Sequence, residues 1–346
     1  MGGGAPVSVQ SMTKTDTQNV SDTVKQIKRL QNAGCDIIRV AVPDMKAISA
    51  LSKIKRAIQI PLVADIHFDY RLALKAIDFG VDKLRINPGN IGAEWKVKEI
   101  VKAAKDRKIP IRVGVNAGSL PRDLLAKYKK ASPSALVEAA LRQIRILEDL
   151  NFDDIVISLK SFDVPTTVEA YQIISKKTNY PLHLGITEAG LPQAGSVRSA
   201  LGIGILLASG IGDTIRVSLT GDPVEEVRVG YEILKSLNLR EHGPTIVSCP
   251  TCGRCEIDLI SLTKKVERKV RNIRAPLKIA VMGCVVNGPG EARDADVGIA
   301  GGKGYGLLFR KGKVVGKAKE KDLVGALLDM VEDLIKERGG AKFPSR

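Results

Sequence analysis

Short apolar runs alternate with amphipathic stretches over the first 240 residues of the chain. Runs of four or five apolar and β-branched residues are typical of buried strands. The stretches between them, such as Ser21–Ala33 and Leu136–Leu150, repeat apolar residues at helical spacing. The pattern therefore predicts eight strands that alternate with helices. The predicted strands are Val7–Gln10, Asp36–Val40, Pro61–Asp65, Lys83–Ile86, Ile111–Val115, Asp154–Ser158, Leu182–Gly185 and Thr214–Val217.

Repeated β-α units of this number predict a closed (β/α)8 barrel of the TIM type over residues 1–240, a length that suits this fold. An open doubly wound sheet is the alternative. That fold would require a glycine-rich phosphate-binding turn after its first strand, and the chain has Ser11-Met12-Thr13-Lys14 at that place. The barrel is therefore the favoured architecture.

A second domain is predicted after a break in the helical pattern near Leu239–Pro244. Residues 245–346 combine short strands with two helices, which indicates a small α+β domain with cysteines at the ends of its strands. The predicted elements are, in order, strand Thr245–Ser248, helix Glu256–Arg274, strands Leu277–Met282, Asp296–Ala300, Tyr305–Arg310 and Lys313–Ala318, and a helix at about Glu320–Arg338.

The composition is that of an ordinary globular protein, with 44% hydrophobic residues and a mean hydropathy of +0.00. No apolar run approaches the length of about 20 residues that a transmembrane helix requires. The N-terminal residues do not resemble a secretory signal. These features predict a cytoplasmic protein that does not associate with a membrane.

The chain is strongly basic, with a formal net charge of +16. Nucleic acid is one class of partner that such a charge can attract. However, the basic residues are scattered through mixed-charge helices, and aromatic residues, which stack on bases, make up only 4% of the chain. An anionic small substrate or an acidic protein partner explains the charge equally well, and nucleic-acid binding is not expected.

Five predicted strands carry a basic residue within or directly after an apolar run. Both faces of a barrel strand are covered, so these charges cannot simply face water, and an unpaired buried charge costs several kcal/mol. Internal ion pairs with nearby aspartates are one explanation. Convergence at the C-terminal mouth, where guanidinium groups would bind phosphate oxygens, is the other. We expect a phosphate or diphosphate ligand, bound by Arg39, Arg85, Arg112, Lys160 and Arg216 with the neutral donors Asn87 and Asn116.

Three further residues are candidates at the same mouth. Glu188 follows the seventh predicted strand in a glycine-flanked loop, where barrel enzymes place their chemistry, and it is the best general acid or base. His67 and His183 lie beside or within strands, and such histidines serve packing as often as ligand binding. We retain His183 as a candidate for substrate binding. Cys35, at a predicted helix end, is assigned to packing.

The strongest chemical signal is a cysteine cluster in the last third of the chain. Cys249, Cys252 and Cys255 have two residues between each successive pair. Cys284 follows within a glycine-rich segment that ends at Glu291. A disulfide framework is not expected in a chain of this length without a secretory signal. Structural zinc and an iron–sulfur cluster both suit the spacing. The cluster is favoured because a zinc ribbon would more simply repeat the short Cys-x-x-Cys motif.

Seven motifs resemble, in order, those of the 4-hydroxy-3-methylbut-2-enyl diphosphate synthase family. They occupy residues 8–13, 64–70, 84–92, 114–120, 182–190, 248–254 and 283–292, so the resemblance runs over nearly the whole chain. It implies a TIM-type barrel followed by a [4Fe-4S] domain. The reaction it implies is the reductive ring opening of 2-C-methyl-D-erythritol 2,4-cyclodiphosphate in non-mevalonate isoprenoid biosynthesis.

The resemblance also implies roles for particular residues. Cys249, Cys252 and Cys284 would bind the cluster, with the carboxylate of Glu291 on the fourth iron, while Cys255 would stay outside the ligand set. Glu188 would transfer a proton, and Glu291 would take part in catalysis as an exchangeable ligand. Electrons would come from an external ferredoxin or flavodoxin, and the family implies a homodimer. The barrel residues implied to bind the diphosphate are Arg39, Arg85, Arg112 and Lys160.

Overall fold

The computed structural model describes residues 2–284, 290 and 292–339 of the chain. The backbone contacts divide the chain into two compact units, Met1–Arg240 and Glu241–Arg346. Each unit contains its own sheet and its own apolar core. The first is built from alternating strands and helices, and the second from a mixed sheet with helices.

The first unit contains a barrel of eight parallel strands, which confirms the predicted fold class. Neighbouring strands pair in the order β6-β5-β4-β3-β2-β1-β8-β7. A parallel bridge between Ile157 and Leu182 closes the ring, and Ile157 N donates to Pro181 O at 2.9 Å. The strands are β1 Ser8–Met12, β2 Ile37–Ala41, β3 Leu62–Asp65, β4 Lys83–Ile86, β5 Ile111–Asn116, β6 Ile155–Lys160, β7 His183–Leu184 and β8 Thr214–Ile215.

Helices follow the strands and begin at residues whose local chemistry favours a helix start. The Asp44 and Asp163 side chains cap helices by accepting backbone N–H groups of Ala47 and Thr166, at 2.9 and 2.8 Å. Four later helices have proline in their first turn, where its missing N–H costs nothing. The helices of this unit are α1 Val20–Asn32, α2 Met45–Ala57, α3 Tyr70–Asp78, α4 Pro88–Ile91, α5 Glu94–Arg107, α6 Arg122–Tyr128, α7 Pro133–Glu148, α8 Val164–Ile174, α9 Pro192–Ala208 and α10 Pro223–Ser236.

The second unit is a five-stranded mixed sheet in the order β13-β12-β11-β10-β9. β9, β10 and β11 are parallel to one another, and β12 is antiparallel to both of its neighbours, β11 and β13. The predicted helix Glu256–Arg274 begins later in the structure, at Leu259, because Asp258 caps its start and accepts from Ser261 N at 3.1 Å, and the helix ends at Val270. The elements are β9 Pro244–Ser248, α11 Leu259–Val270, β10 Leu277–Met282, β11 Val297–Gly302, β12 Tyr305–Arg310, β13 Lys313–Lys319 and α12 Leu323–Glu337.

The two faces of this sheet differ in what they contact. Ile279 and Val281 on β10 share an apolar core with residues of α11 and α12, such as Val266 and Val331. Ala280 and Met282, which alternate with them, belong to a smaller cluster on the opposite face. The period of two along β10 therefore separates a helix-covered face from a second, less extensive apolar face.

No helix in the described part of the chain is both long enough and apolar enough to cross a membrane.

Candidate functional site

Charged side chains occupy the interior of the barrel. On β2, Ile38 and Val40 belong to the apolar core under the helices, whereas Arg39 between them does not. The same alternation holds on β5, where Ile111 and Val113 belong to that core and Arg112 does not. Because successive side chains of a strand point to opposite faces, the charged set lies in the lumen. Its buried charged members are Arg39, Asp65, Lys83, Arg85, Arg112 and Lys160.

Asp65 at the end of β3 pairs with two of these cations. Arg85 Nη1 lies 3.0 Å from Asp65 Oδ1, and Arg39 Nε lies 3.6 Å from Asp65 Oδ2. Burial alone would raise the pKa of Asp65, but Arg39, a hydrogen bond from His67 and Arg85 outweigh it and hold the pKa well below its usual range. Asp65 is therefore an ionised carboxylate that orients both guanidinium groups.

Arg112 and Lys160 have no carboxylate within ion-pair distance in the described part of the chain. Arg112 Nη1 donates to the neutral Gln10 Oε1 at 2.8 Å, and Arg112 Nε has no hydrogen-bond partner among the described residues. Burial lowers the pKa of Lys160 well below its usual value, and the charges of Arg112 and Arg216 lower it further. Both are thus buried basic side chains whose protonated forms an anionic ligand would stabilise.

Two glycines give the long side chains room inside the barrel. A Cβ on Gly114 would lie 2.7 Å from Arg85 Nε, and a Cβ on Gly185 would lie 2.8 Å from Lys160 Nζ. Atoms do not approach that closely, so a larger residue at either of these two positions would displace the basic side chain beside it. Both glycines belong to motifs that carried the family resemblance, and the structure supplies the steric reason for them.

Arg216 is paired through a residue that the sequence did not indicate. Glu226 on α10 is almost fully buried, and its Oε2 lies 3.6 Å from Arg216 Nη2. Its Oε1 lies 3.0 Å from Lys14 Nζ and accepts from Leu219 N at 3.0 Å. The available signal was a carboxylate in the buried stripe of a helix, in line with Gly230 and Leu234. Glu226 thus balances part of the charge of Arg216.

His183 is completely buried at the start of β7, and both of its ring nitrogens lack hydrogen-bond partners among the described residues. Burial lowers the pKa of its imidazole well below the usual value, and the charges of Arg112 and Lys160 act in the same direction. His183 is therefore neutral, so it offers the lumen one donor and one acceptor nitrogen. This suits a polar ligand contact but not a proton donor at neutral pH.

The two asparagines at the ends of strands, Asn87 and Asn116, differ in what their side chains contact. Asn87 is buried, and its Oδ1 accepts from Gly89 N at 3.0 Å, which caps the short helix α4. Asn116 is half-buried and is the register partner of Lys160 in the pairing of β5 with β6. The structure thus places Asn116 beside a lumen cation, while the side-chain oxygen of Asn87 serves the local backbone.

Glu188 lies in the loop between β7 and α9, and its side chain is exposed. Its backbone φ is +54°, a left-handed conformation that non-glycine residues rarely adopt. Such strain persists only where the surrounding structure imposes it, and it is common at functional sites. The loop also contains Ala189, whose carbonyl accepts a hydrogen bond of 2.7 Å from Arg198 Nη1.

Large apolar side chains are exposed on six of the connections that follow the barrel strands. Each lies after a strand end and before or within the next helices, so together they surround the C-terminal mouth. Exposed apolar groups of this size are typical of surfaces that bind a partner or a ligand. These mouth-rim residues are Met45, Phe68, Trp95, Leu125, Phe162 and Leu191.

The cysteines of the second unit lie around the end of β10. Gly283 N donates to Cys249 Sγ at 3.3 Å, and a Cβ on Gly283 would lie 2.6 Å from Cys255 Sγ. Cys284 follows directly, whereas Cys252 is exposed in the turn between Cys249 and Cys255. None of the five cysteines of the chain forms a disulfide. Thus Cys249, Cys255 and the residue before Cys284 lie together.

The cysteines of the second unit have the ligand chemistry that an iron–sulfur cluster requires. A backbone N–H donated to sulfur, as from Gly283 to Cys249, stabilises a thiolate, and soft thiolate ligands suit iron–sulfur clusters. Within the described residues, no three His, Cys, Asp or Glu side chains form a group that could hold a metal ion. Glu291, the predicted fourth ligand, lies outside the described residues. The assignment of Cys249, Cys252, Cys284 and Glu291 therefore stays a prediction.

Two protein-family models match the chain. One, described as GcpE TIM-barrel domain, matches residues 1–231, and the other, described as GcpE protein C-terminal domain, matches residues 245–333. Together they cover both compact units of the structure.

Three similar proteins, matched over nearly their full length, are named 4-hydroxy-3-methylbut-2-en-1-yl diphosphate synthase (flavodoxin). The protein of that name from Clostridium perfringens is 62% identical over 96% of this chain and 96% of its own length. The one from Geobacter sulfurreducens is 60% identical over 98% and 96%, respectively. The one from Caldanaerobacter subterraneus is 60% identical over 97% and 95%.

Proposed function

This chain belongs to the GcpE family, and from that premise we propose that it is a 4-hydroxy-3-methylbut-2-enyl diphosphate synthase. It converts 2-C-methyl-D-erythritol 2,4-cyclodiphosphate to 4-hydroxy-3-methylbut-2-enyl diphosphate in non-mevalonate isoprenoid biosynthesis. The similar proteins carry the name of this enzyme. The observation in the chain itself that best supports the substrate is the pair of buried basic side chains Arg112 and Lys160 without a carboxylate within ion-pair distance in the described residues.

The substrate is anionic, so its diphosphate is the group that the lumen would bind. Arg112 and Lys160 supply basic groups that have no carboxylate within ion-pair distance in the described chain, and Arg39 and Arg85 are held in position by Asp65. Guanidinium groups form paired hydrogen bonds with phosphate oxygens. Gly114 and Gly185 leave the space that these side chains need. Asn116 and the neutral His183 add uncharged contacts, and Arg216, balanced by Glu226, lies at the edge of the site.

The overall conversion consumes two electrons and two protons and releases one water. Glu188 is the proposed proton-transfer residue because it lies in a mouth loop on an exposed, strained backbone position. An iron–sulfur cluster, proposed as [4Fe-4S] and held by Cys249, Cys252, Cys284 and Glu291, would supply electrons one at a time. The lumen residues bind and orient the diphosphate throughout.

The electron carrier is proposed to be an external flavodoxin or ferredoxin. The similar proteins bear flavodoxin in their names, and a net charge of +16 favours encounter with an acidic carrier. A homodimer in a reducing cytoplasm is part of the same proposal. The exposed mouth-rim residues support covering of the mouth by another protein body, and five cysteines without a disulfide suit a reducing compartment.

Anaerobic reconstitution with iron and sulfide tests this function directly. The reconstituted protein is incubated with the cyclic diphosphate and a chemical one-electron reductant, and the products are identified by mass spectrometry. We expect loss of the cyclic diphosphate and appearance of 4-hydroxy-3-methylbut-2-enyl diphosphate. A protein that carries iron and sulfide and binds the cyclic diphosphate, yet forms none of this product, would contradict the proposal.

A further inference from the structure

The ammonium group of Lys14 is directed at a single mouth loop and its buried carboxylate. Lys14 lies two residues after the end of β1, and the loop connects β8 to α10 over residues 216–222. Lys14 Nζ donates to Leu219 O at 2.7 Å and to Gly221 O at 2.5 Å. It also lies 3.0 Å from Glu226 Oε1. An ammonium group has three donors, so these three acceptors engage it completely.

Lys14 and Glu226 together hold the backbone of Leu219. Leu219 N donates to Glu226 Oε1 at 3.0 Å, while Leu219 O accepts from Lys14 Nζ. The backbone of Lys14 is itself anchored, because its N–H donates to Gln26 Oε1 on α1 at 2.7 Å. The side chain of Glu226 is only 1% exposed, so water weakens its contacts little. The β8–α10 loop is thus fixed from both sides at one residue.

The β8–α10 loop in turn supports the neighbouring loop that carries Glu188. β7, β8 and β1 are consecutive in the ring, so the loops after them adjoin one another at the mouth. Thr220 N donates to Gly190 O at 2.9 Å. The Leu219 side chain packs closely on α9, where a Cβ on Gly195 would lie 2.6 Å from Leu219 Cδ2. The segment that follows Glu188 therefore rests on the β8–α10 loop at two places.

Glu188 depends on such support because its backbone is strained. Its φ is +54°, a conformation that the surrounding structure must impose. The two carbonyl groups that follow it are both held, Ala189 O by Arg198 Nη1 at 2.7 Å and Gly190 O by Thr220 N. The first of these donors belongs to α9, and the second belongs to the β8–α10 loop. Displacement of that loop would release one of the two contacts that fix the backbone after Glu188.

We propose that Lys14 is a positioning residue that holds Glu188, through the β8–α10 loop, in the conformation that proton transfer requires. Lys14 does not contact the substrate, because its donors are directed at this loop and at Glu226. It acts on the backbone that carries Glu188, so its effect falls on proton transfer more than on binding of the diphosphate. This role rests on the proposed function, in which Glu188 transfers the proton.

Hydrogen exchange of the reconstituted protein without substrate tests the connection between the two loops. Lys14→Met keeps an unbranched apolar side chain of similar length but removes the donors. Because the Lys14 side chain is 34% exposed in a loop, this substitution leaves the apolar core intact. The amides of Leu219 and Thr220 should exchange at least about tenfold faster, and exchange should also increase in residues 185–191. Unchanged exchange in residues 185–191 would overturn the proposal.

Lys105→Met is the matched control. Lys105 Nζ also donates to a backbone carbonyl, Leu150 O at 2.9 Å, but Leu150 precedes β6 and lies at the opposite end of the barrel. Hydrogen exchange in both mouth loops should therefore equal that of the wild type. Lys14→Arg keeps a positive charge and several donors, so its exchange rates should lie between those of the wild type and Lys14→Met.

Turnover with a chemical one-electron reductant separates positioning from a merely structural role. We expect Lys14→Met to lower kcat at least about tenfold, while the calorimetric dissociation constant for the cyclic diphosphate changes less than about threefold. Lys14→Arg should recover part of kcat, and Lys105→Met should match the wild type in both quantities. A kcat of Lys14→Met equal to that of the wild type, or a loss confined to the dissociation constant, would overturn the proposal.

Failure of the proposed function gives a different result from failure of this role. If the wild type forms no 4-hydroxy-3-methylbut-2-enyl diphosphate, the proposed function fails, and hydrogen exchange alone decides whether Lys14 fixes the loop of Glu188. If the wild type forms the product and Lys14→Met turns over equally fast, only the role of Lys14 is overturned.

Discussion

Arg112 on β5 and Gln10 on β1 are joined across the barrel by a hydrogen bond of 2.8 Å from Arg112 Nη1 to Gln10 Oε1. β1 and β5 are four strands apart in the ring of eight, so this contact spans the lumen. Gln10 holds the guanidinium in place but cannot neutralise it. Arg112 is therefore oriented by a neutral acceptor and retains its full charge for a ligand.

Removal of the Arg112 side chain should weaken binding of the cyclic diphosphate by about 2–4 kcal/mol, because a desolvated, charge-assisted contact to phosphate is lost. Isothermal calorimetry of Arg112→Ala measures this. The control is Arg107→Ala on α5. The Arg107 side chain is 59% exposed, and its Nη2 lies 3.9 Å from Asp78 Oδ1, which is a long ion pair at the surface. If Arg112→Ala and the wild type bind the cyclic diphosphate with equal affinity, the diphosphate does not bind at Arg112.

Gln10→Glu should act in the same direction without removing any atom of the cationic site. The new carboxylate has nearly the shape of the amide, lies beside Arg112 Nη1 and neutralises its charge. We expect the dissociation constant for the cyclic diphosphate to rise at least about tenfold, and thermal stability to be retained or increased. Tighter binding in Gln10→Glu would show that Arg112 does not contact the anion.

Gly114→Ala should displace Arg85 rather than disrupt the fold. The added Cβ would lie 2.7 Å from Arg85 Nε, which belongs to a flexible side chain, so the guanidinium must move away from Asp65. We expect weaker substrate binding by about 1–3 kcal/mol with a folded barrel. Gly118→Ala is the control because a Cβ there meets no atom within 4 Å. If Gly114→Ala binds the cyclic diphosphate with unchanged affinity, Arg85 does not contact the substrate.

The ion pairs of Asp65 predict a defined pH dependence of stability. Its folded-state pKa lies well below the unfolded value of about 3.9, so its stabilisation is fully present above that pH and declines as the pH falls toward the folded-state pKa. Asp65→Asn should therefore lower the free energy of unfolding at pH 7, and the difference from wild type should shrink below about pH 4.

Urea unfolding followed by the fluorescence of Trp95 measures this difference, because the single tryptophan lies in the barrel unit. Asp78→Asn is the matched control. The Asp78 side chain is 56% exposed, so this substitution should change the free energy of unfolding little at any pH. A difference between wild type and Asp65→Asn that grows on acidification would refute the assignment of a lowered pKa.

Serine substitutions of the cysteines test the proposed ligand set. Cys249→Ser, Cys252→Ser and Cys284→Ser should each prevent stable assembly of a four-iron cluster, whereas Cys255→Ser should leave the iron content unchanged. Iron and sulfide analysis after anaerobic reconstitution provides the measurement. The position of Cys255 Sγ against Gly283 makes this variant the critical one. Loss of iron in Cys255→Ser would place its thiolate among the ligands.

Local sequence pattern was sufficient for the barrel and for its unusual interior. The alternation around Arg39 and Arg112 showed charges at positions that a barrel covers on both sides, because strand periodicity depends only on neighbouring residues. The same local reasoning placed Glu188 in a mouth loop. It overextended the first helix of the second unit, since a helical pattern does not reveal that Asp258 caps it.

The tertiary structure determines which of these charged side chains form ion pairs with one another. Asp65 holds Arg39 and Arg85 because β2, β3 and β4 are adjacent in the ring, and Glu226 reaches Arg216 and Lys14 because α10 packs back on the barrel. These partners are far apart in sequence, and no local spacing encodes their distances. The residue types and their periodicity are properties of the sequence alone. The unpaired basic groups of Arg112 and Lys160 are a property of the folded chain only, because they depend on where every carboxylate lies after folding.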